Sequence, residues 1–217
     1  YDGAIMAYDR AIALSPTNYQ AWRDKALSLR ELKRYDEAFS VLNAILKVYP
    51  DNPELWSTIG DIYLLNLEQY AESIPYFEKA LEIDNQDIHS LVNIAFAYDK
   101  TGETETALSL YHRALDINPS LTDAWNKAAN ILTRAGHYSD ADMMYNKALE
   151  IDPGNTFVLN NKGYALFLAG KFPESVETLE KAVSIDPGYS SAWKNLGAVL
   201  NAMGKTEEAQ TAYAQSV

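Results

Sequence analysis

A repeat of about 34 residues is the feature that most constrains this chain. Large apolar anchor residues recur along its 217 residues at spacings of 34, 35, 34, 34 and 34. The anchors are Trp22, Trp56, Leu91, Trp125, Leu159 and Trp193, which include all four tryptophans. A period of roughly 20 to 50 residues is typical of stacked repeats, in which each unit buries its apolar face against its neighbours.

Each period is predicted to contain two amphipathic helices, A and B. In helix A, four residues after the anchor, every repeat has alanine or glycine, as at Ala129 and Gly163. In helix B, a small residue is followed four positions later by a large one, as Ala141 is followed by Tyr145. Apolar residues at spacings of three and four predict helices. The pairing of small with large residues indicates that the two helices pack closely.

Glycines and prolines divide the chain at the same period. The glycines where helix A should end are Gly102, Gly136, Gly170 and Gly204, and the prolines after helix B are Pro16, Pro50, Pro119, Pro153 and Pro187. We expect the glycines to adopt the left-handed conformation of a helix C-terminus. The prolines should end one helix and precede the next.

These positions together resemble the tetratricopeptide repeat family. The matching residues of the last repeat are Trp193, Leu196, Gly197, Leu200, Ala209 and Tyr213, and an earlier repeat matches at Trp125, Ala129, Ala141, Tyr145, Ala148 and Pro153. The resemblance covers the whole chain. It implies an all-α, right-handed superhelical solenoid of antiparallel helix pairs, with the A helices lining a concave wall.

The repeat phase predicts a single array over residues 1–217. Residues 1–18 would be helix B of an incomplete repeat, followed by full repeats at 19–52, 53–87, 88–121, 122–155 and 156–189 and a truncated one at 190–217. Members of the family usually close the stack with a polar-faced helix, which this sequence lacks. We therefore expect an excerpt of a longer protein or, alternatively, open ends that stack on neighbouring copies.

The repeat at 53–87 departs from the others. It has one extra residue in its Leu65–Tyr70 turn, lacks the turn glycine and has Asn85 in place of proline. Pro75 lies within its helix B and cannot donate a backbone hydrogen bond, so we expect this helix to start late or to bend. The repeat also has eight acidic residues against Lys79 alone. Sequence drift or a partner site would each explain the irregularity.

Composition excludes several classes of function. The net charge of −12 argues against binding to nucleic acid or to an anionic membrane. With no cysteine, the chain has no disulfides, thiolate zinc sites or cysteine nucleophiles. It shows no signal peptide and no apolar run near the ~18 residues of a membrane span, so we expect a cytoplasmic protein. Since His89, His112 and His137 lie in different repeats without nearby ligand pairs, we expect no enzyme activity, metal or cofactor.

The face of helix A opposite the packing stripe gives the candidate binding residues. In the first two full repeats this face is charged, whereas later repeats place amides, aromatic rings and cations there. The candidates are Asn93, Phe96, Asn126, Lys127, Asn130, Arg134, Phe157, Asn160, Asn161, Tyr164, Lys194 and Asn195. Because an asparagine amide both donates and accepts, a row of asparagines can hold the backbone of an extended peptide. The row resembles the asparagine ladder of the O-linked N-acetylglucosamine transferases, with Lys127 interrupting it.

The resemblance therefore implies a non-catalytic scaffold that binds a protein or peptide along its concave groove. The family's dicarboxylate clamp is excluded because three of its cations are missing in one register and two in the other, with Asn126 or Asp123 in such places. Two alternatives stay open: a self-associating assembly module, which would join end to end, and a substrate-recruiting arm of a larger enzyme.

Overall fold

The protein is built from antiparallel helix pairs, as the fold class inferred from the sequence requires. The computed structural model describes residues 1–216, which contain thirteen α-helices and no strand. The helices are α1 (Asp2–Leu14), α2 (Tyr19–Glu31), α3 (Tyr35–Leu46), α4 (Pro53–Asp61), α5 (Tyr70–Ile83), α6 (Ile88–Thr101), α7 (Thr104–Ile117), α8 (Thr122–Arg134), α9 (Tyr138–Ile151), α10 (Thr156–Leu168), α11 (Phe172–Ile185), α12 (Ser190–Ala202) and α13 (Thr206–Gln215).

The chain divides into two compact units. Unit 1 comprises residues 1–110 and unit 2 begins at Tyr111, so the division falls within α7. In unit 1, α2, α4 and α6 are the A helices, and in unit 2 these are α8, α10 and α12. Several A helices begin at an amide or carboxylate cap, as where Asn52 accepts from Leu55 N and Asn155 accepts from Val158 N. Such caps satisfy backbone donors that the first helical turn leaves unpaired.

Close contact between helices A and B of one repeat confirms the predicted pairing of small with large residues. A Cβ atom built on Gly163 would lie 2.5 Å from Leu179 Cγ, and one on Gly60 would lie 2.8 Å from Phe77 Cζ. Leu179 and Phe77 are both fully buried. The large side chain of helix B therefore occupies the space that the missing side chain of helix A leaves.

The tryptophan anchors have a second role that the sequence did not reveal. Each indole N–H donates to the carbonyl of the proline six residues earlier, at 2.8 Å for Trp125 to Pro119 and 2.9 Å for Trp193 to Pro187. The same bond joins Trp22 to Pro16 and Trp56 to Pro50. Each anchor thus packs into the core and also ties the start of helix A to the end of the preceding helix B.

The turn glycines adopt the predicted left-handed conformation. Their φ angles lie at 92° for Gly102, 80° for Gly136, 73° for Gly170 and 78° for Gly204. In unit 1, two non-glycine residues hold the same conformation. Lys33, with φ at 59°, follows α2, and Glu68, with φ at 54°, lies in the turn before α5. Side chains tolerate that conformation less well than glycine does.

The irregular repeat absorbs its extra residue in a helix and not in the turn, which corrects the sequence interpretation. After α4 the backbone widens into a π-helical segment, Ile62–Asn66, in which Leu67 N donates to Ile62 O at 3.1 Å. A π turn holds one more residue than an α turn. The expectation that the next helix starts late is also wrong, because α5 begins at Tyr70 and has Pro75 inside it. Pro75 and Ala71, whose carbonyl loses its helical donor, are both exposed residues. The bend stays a prediction.

An imidazole–carboxylate pair connects α4 to α6 in unit 1. His89 Nε2 donates to Asp61 Oδ2 at 2.9 Å, and Asn93 Nδ2 donates to Asp61 Oδ1 at 3.0 Å. The hydrogen bond to Asp61 raises the pKa of His89. Partial burial opposes that rise, and the charges of Asp61 and Asp87 add to it. The charged imidazole is therefore the form that this contact stabilises.

We expect Gly163→Ala to destabilise the protein more than Gly197→Ala does. An added methyl group at Gly163 meets Leu179, which is fully buried, whereas at Gly197 it meets Tyr213, which is 41% exposed and can move. Overpacking costs about 1–3 kcal/mol, against a helix gain of about 0.5–1 kcal/mol from replacing glycine. Urea unfolding followed by tryptophan fluorescence measures both changes. Equal effects at the two sites would contradict this packing.

A second prediction concerns pH. Because the folded-state pKa of His89 is raised, the stabilisation from its pair with Asp61 is fully present below the unfolded-state value of about 6.5. It is lost as pH rises through the folded-state pKa. The melting temperature of the wild type should exceed that of His89→Gln at pH 5.5, and the difference should shrink towards pH 9. The effect should stay below about 1 kcal/mol, because His89 is half exposed. A difference independent of pH would show that the pair does not titrate as described.

Candidate functional site

Four asparagine side chains form a continuous hydrogen-bonded chain across the A helices of unit 2. Asn195 Nδ2 donates to Asn160 Oδ1 at 2.8 Å, Asn160 Nδ2 to Asn161 Oδ1 at 3.3 Å, and Asn161 Nδ2 to Asn126 Oδ1 at 3.1 Å. We call Asn126, Asn160, Asn161 and Asn195 the amide relay. It links α8, α10 and α12 on the face opposite α9 and α11, which we call the inner face of unit 2.

The relay connects two positions of neighbouring repeats and not one position throughout. In each link between helices, the donor is the sixth residue of its repeat and the acceptor is the fifth residue of the repeat before. Lys127 therefore does not interrupt the row, because its neighbour Asn126 accepts the bond. Comparing the same position in successive repeats could not reveal these links, because each joins two different positions.

The relay leaves donors and acceptors available to a ligand. Each amide has two N–H donors and a carbonyl oxygen with two lone pairs. The relay uses one N–H each of Asn160, Asn161 and Asn195 and none of Asn126. Asn126, Asn161 and Asn195 are half-buried, whereas Asn160 is only 7% exposed and acts as an internal link.

Asn130 serves the core as well as the surface. Its Oδ1 accepts from Tyr145 O–H at 2.6 Å, and Tyr145 is 1% exposed. Burial raises the pKa of Tyr145 to about 12, which keeps this phenol a hydrogen-bond donor at neutral pH. Asn130 thus satisfies a buried hydroxyl, a role that its place in the repeat did not indicate.

Exposed apolar side chains border the relay on α10. Phe157 is 65% exposed and Tyr164 is 43% exposed, and the two lie seven residues apart on one face of the helix. Leu168, 40% exposed, extends the same stripe, although the candidate list omitted it. Phe157 contacts the Tyr189 ring at a centroid distance of 5.2 Å. Apolar side chains this exposed beside polar groups are a usual mark of a binding surface.

The inner face of unit 2 is locally basic, although the chain carries a net charge of −12. Lys127 lies 3.5 Å from Asp123 on α8. Arg134 and Lys194 are exposed on the same set of helices. Cations therefore outnumber carboxylates on α8, α10 and α12, whereas carboxylates outnumber cations in the chain as a whole.

In unit 1, the corresponding side chains bind one another. Asn93 is held by Asp61, and Phe96 contacts Tyr70 edge-on at 6.0 Å while Lys100 Nζ lies 5.2 Å from the Phe96 ring centroid. The first two predicted candidates, Asn93 and Phe96, therefore already have partners within unit 1. The other ten lie in unit 2.

The charged residues of the earlier repeats are also paired. Glu54 accepts from Tyr19 O–H at 2.6 Å and from Arg23 Nη1 at 3.2 Å. Burial, together with Glu54, raises the pKa of Tyr19 to about 12. Many of the polar side chains on the A helices of unit 1 therefore already hydrogen-bond within the unit.

Residues 1–216 contain neither a cluster of metal-ligating side chains nor a membrane-crossing helix. No group of three or more His, Asp or Glu side chains in this part of the chain is placed to hold a metal ion. None of its helices combines the length and apolar character that a membrane crossing requires.

Known proteins with similar sequences match parts of this chain. FlbA of Caulobacter vibrioides is 36% identical over 94 residues, covering 43% of this chain and 16% of FlbA. The photosystem I assembly protein Ycf3 of Synechococcus elongatus is 34% identical over 104 residues, covering 44% of this chain and 60% of Ycf3. The chain thus spans less than two thirds of either relative.

Solved structures share the fold at low identity. A tetratricopeptide repeat protein from Parabacteroides merdae aligns with a TM-score of 0.78 at 22% identity, over 89% of this chain and 77% of its own. YrrB, described as a TPR protein with an unusual peptide-binding site, aligns with a TM-score of 0.71 at 22% identity, over 86% of this chain and 95% of its own.

Family models described as tetratricopeptide repeat match nearly the whole chain, at residues 1–62, 51–120, 122–155, 144–177 and 178–211. Proteins with this repeat generally mediate protein–protein interaction or assembly, and scaffolds of this fold are generally non-catalytic. On these matches and the paired-helix fold, the chain belongs to the tetratricopeptide repeat family.

Proposed function

We propose that the inner face of unit 2 binds an extended segment of a partner protein. The observation that carries this proposal is the amide relay, bordered on α10 by the exposed side chains of Phe157 and Tyr164. Amides that run across three helices offer hydrogen bonds at several points along a ligand backbone. Exposed rings beside them supply apolar area for its side chains.

Mutual hydrogen bonding within the relay favours binding. Each amide of the relay is held in place by its neighbour before any ligand arrives, so less side-chain freedom is lost on association. Free N–H groups on Asn126 and Asn161 suit backbone carbonyls of a ligand, and Asn195 has a carbonyl oxygen that suits a backbone N–H. Recognition of this kind depends on the ligand backbone, so side-chain preference must come from the surrounding residues.

The surrounding residues favour a segment with apolar and acidic side chains. Phe157, Tyr164 and Leu168 supply the apolar contact. Lys194 is exposed, and Lys127 and Arg134 add positive charge on the same face, opposed by Asp123. YrrB, whose description mentions a peptide-binding site, and Ycf3, described as an assembly protein, are relatives consistent with a binding role.

We expect the double substitution Asn126→Ala with Asn161→Ala to weaken peptide binding by roughly 5- to 150-fold, because two or more hydrogen bonds of about 0.5–1.5 kcal/mol each are lost. The ligand would be a fluorescein-labelled peptide selected on the wild type from a phage-displayed library of 12-residue peptides. Fluorescence anisotropy then gives the dissociation constant, which should be micromolar for the wild type.

Gln210→Ala provides the matched control, since it removes an exposed amide from α13, away from the inner face. It should leave the dissociation constant unchanged, and circular dichroism should show equal helix content in all three proteins. Asn130 is left intact because its loss would unpair the buried Tyr145 hydroxyl. Unaltered affinity in the double variant, or failure to select any peptide, would refute binding through the relay.

A further inference from the structure

A groove lies on the other side of unit 2, between the B helices α9 and α11. Its volume is about 800 Å³, and α10 forms its floor with Leu159, Lys162 and Leu166. Asp142 and Asn146 line the α9 wall, and Thr178 lines the α11 wall. Clefts that hold ligands or partner side chains have volumes of about 300–1,000 Å³. This groove is separate from the amide relay, so it raises a question beyond the proposed function.

Unit 1 shows which chemistry fills the same place. Phe39 on α3, Tyr63 in the π-helical segment and Tyr76 on α5 form a stack, with centroid distances of 4.8 Å and 5.2 Å. Phe39 directly follows Ala38, as Asp142 follows Ala141. Tyr63 comes seven residues after the anchor Trp56, as Leu166 comes seven after Leu159. Tyr76 comes three after Ser73, as Thr178 comes three after Ser175.

The three rings of unit 1 therefore correspond to the three residues Asp142, Leu166 and Thr178 that border the groove in unit 2. Aromatic side chains bridge the two B helices in unit 1, whereas smaller or polar side chains leave the space between α9 and α11 open. The opening coincides with these substitutions, and also with a regular α10 in unit 2 where the unit 1 repeat has its π-helical segment.

A cation lies at the floor of the groove. The Lys162 side chain is 18% exposed, its Nζ donates to Asn146 Oδ1, and it lies 3.4 Å from Asp142 Oδ1. The ammonium has three N–H donors, so it can also meet the face of an aromatic ring. Four carboxylates and three lysines line the groove, so it has no excess of positive charge with which to hold a phosphate. A purely aliphatic side chain would leave these polar walls without partners.

We propose that this outer groove docks a tyrosine side chain of a protein partner, whose ring occupies the space between α9 and α11 that aromatic side chains fill at the corresponding positions of unit 1. The ring lies against Lys162 and Leu166, and the phenol O–H donates to the carboxylate of Asp142. A tyrosine suits the site better than phenylalanine because it combines an apolar ring with a polar edge.

The test uses ¹⁵N-labelled protein and N-acetyl-L-tyrosinamide as the probe, followed by NMR. We expect saturable shifts of backbone amide signals around Lys162 and along the facing turns of α9 and α11, with a millimolar dissociation constant. N-acetyl-L-leucinamide, measured in parallel, should bind at least threefold more weakly. Equal shifts with both probes, or no saturable shift in the groove, would overturn the proposal.

Two variants make the result specific. The first is a triple variant, Asp142→Phe with Leu166→Tyr and Thr178→Tyr. It places the three aromatic residues of the unit 1 stack at the corresponding positions of the groove and should abolish probe binding. Lys162→Gln, a smaller change that keeps a polar group, should weaken binding by about two- to fivefold. Wild-type affinity of Lys162→Gln for the probe would contradict the proposed contact between the ring and the Lys162 ammonium. The Asn126→Ala, Asn161→Ala protein should bind the probe as the wild type does, so failure of the inner-face proposal and failure of this one can be told apart.

Discussion

Close contact between the two helices of each repeat is the constraint on which the rest of the structure depends. In helix A the residue that faces helix B has at most a methyl group, and in helix B the opposing residue is large, as for Gly163 with Leu179. Interiors packed at crystal-like density do not tolerate a further methyl group there without movement. Because the fit recurs in each repeat, it fixes the rotation of every helix. It thereby also determines which side chains lie on the exposed surfaces of the repeats.

Connections between repeats rest on a different interaction. The indole of each tryptophan anchor packs into the core and also donates to a proline carbonyl six residues earlier, as Trp125 does to Pro119. The proline carbonyl lies in the turn between two helices, beyond the end of helix B, so this bond satisfies an acceptor that neither helix pairs. Leu91 and Leu159 hold the anchor position without an indole donor. Apolar packing is therefore the general requirement at the anchor, and the hydrogen bond is an addition in four repeats.

The fold could be predicted well from the sequence because the same pattern of anchor, small and large residues recurs in each repeat. Helix pairs, turn glycines and the match of Gly163 to Leu179 all follow from periodicity. The details that failed depend on the energy of alternatives that look equivalent in sequence. An extra residue can lengthen a turn or widen a helix, and here the widened helix places Ile62 and Leu64 in the core. The sequence was enough to assign the candidate site residues to one face of helix A. It could not predict which asparagines hydrogen-bond to one another, or that Asn130 accepts from Tyr145, because these depend on side-chain contacts between helices.

The two units use the same framework in different ways, and this contrast is the reason for placing both proposed sites in unit 2. Unit 1 pairs Arg23 with Glu54, links Asp61 to His89, and stacks Phe39 on Tyr63. Those groups would have to give up existing contacts before meeting a ligand. Unit 2 keeps Phe157 exposed on one side and leaves an open groove above Lys162 on the other. Since association is favoured where few internal contacts must break, both proposed sites fall in unit 2, on opposite faces of α10.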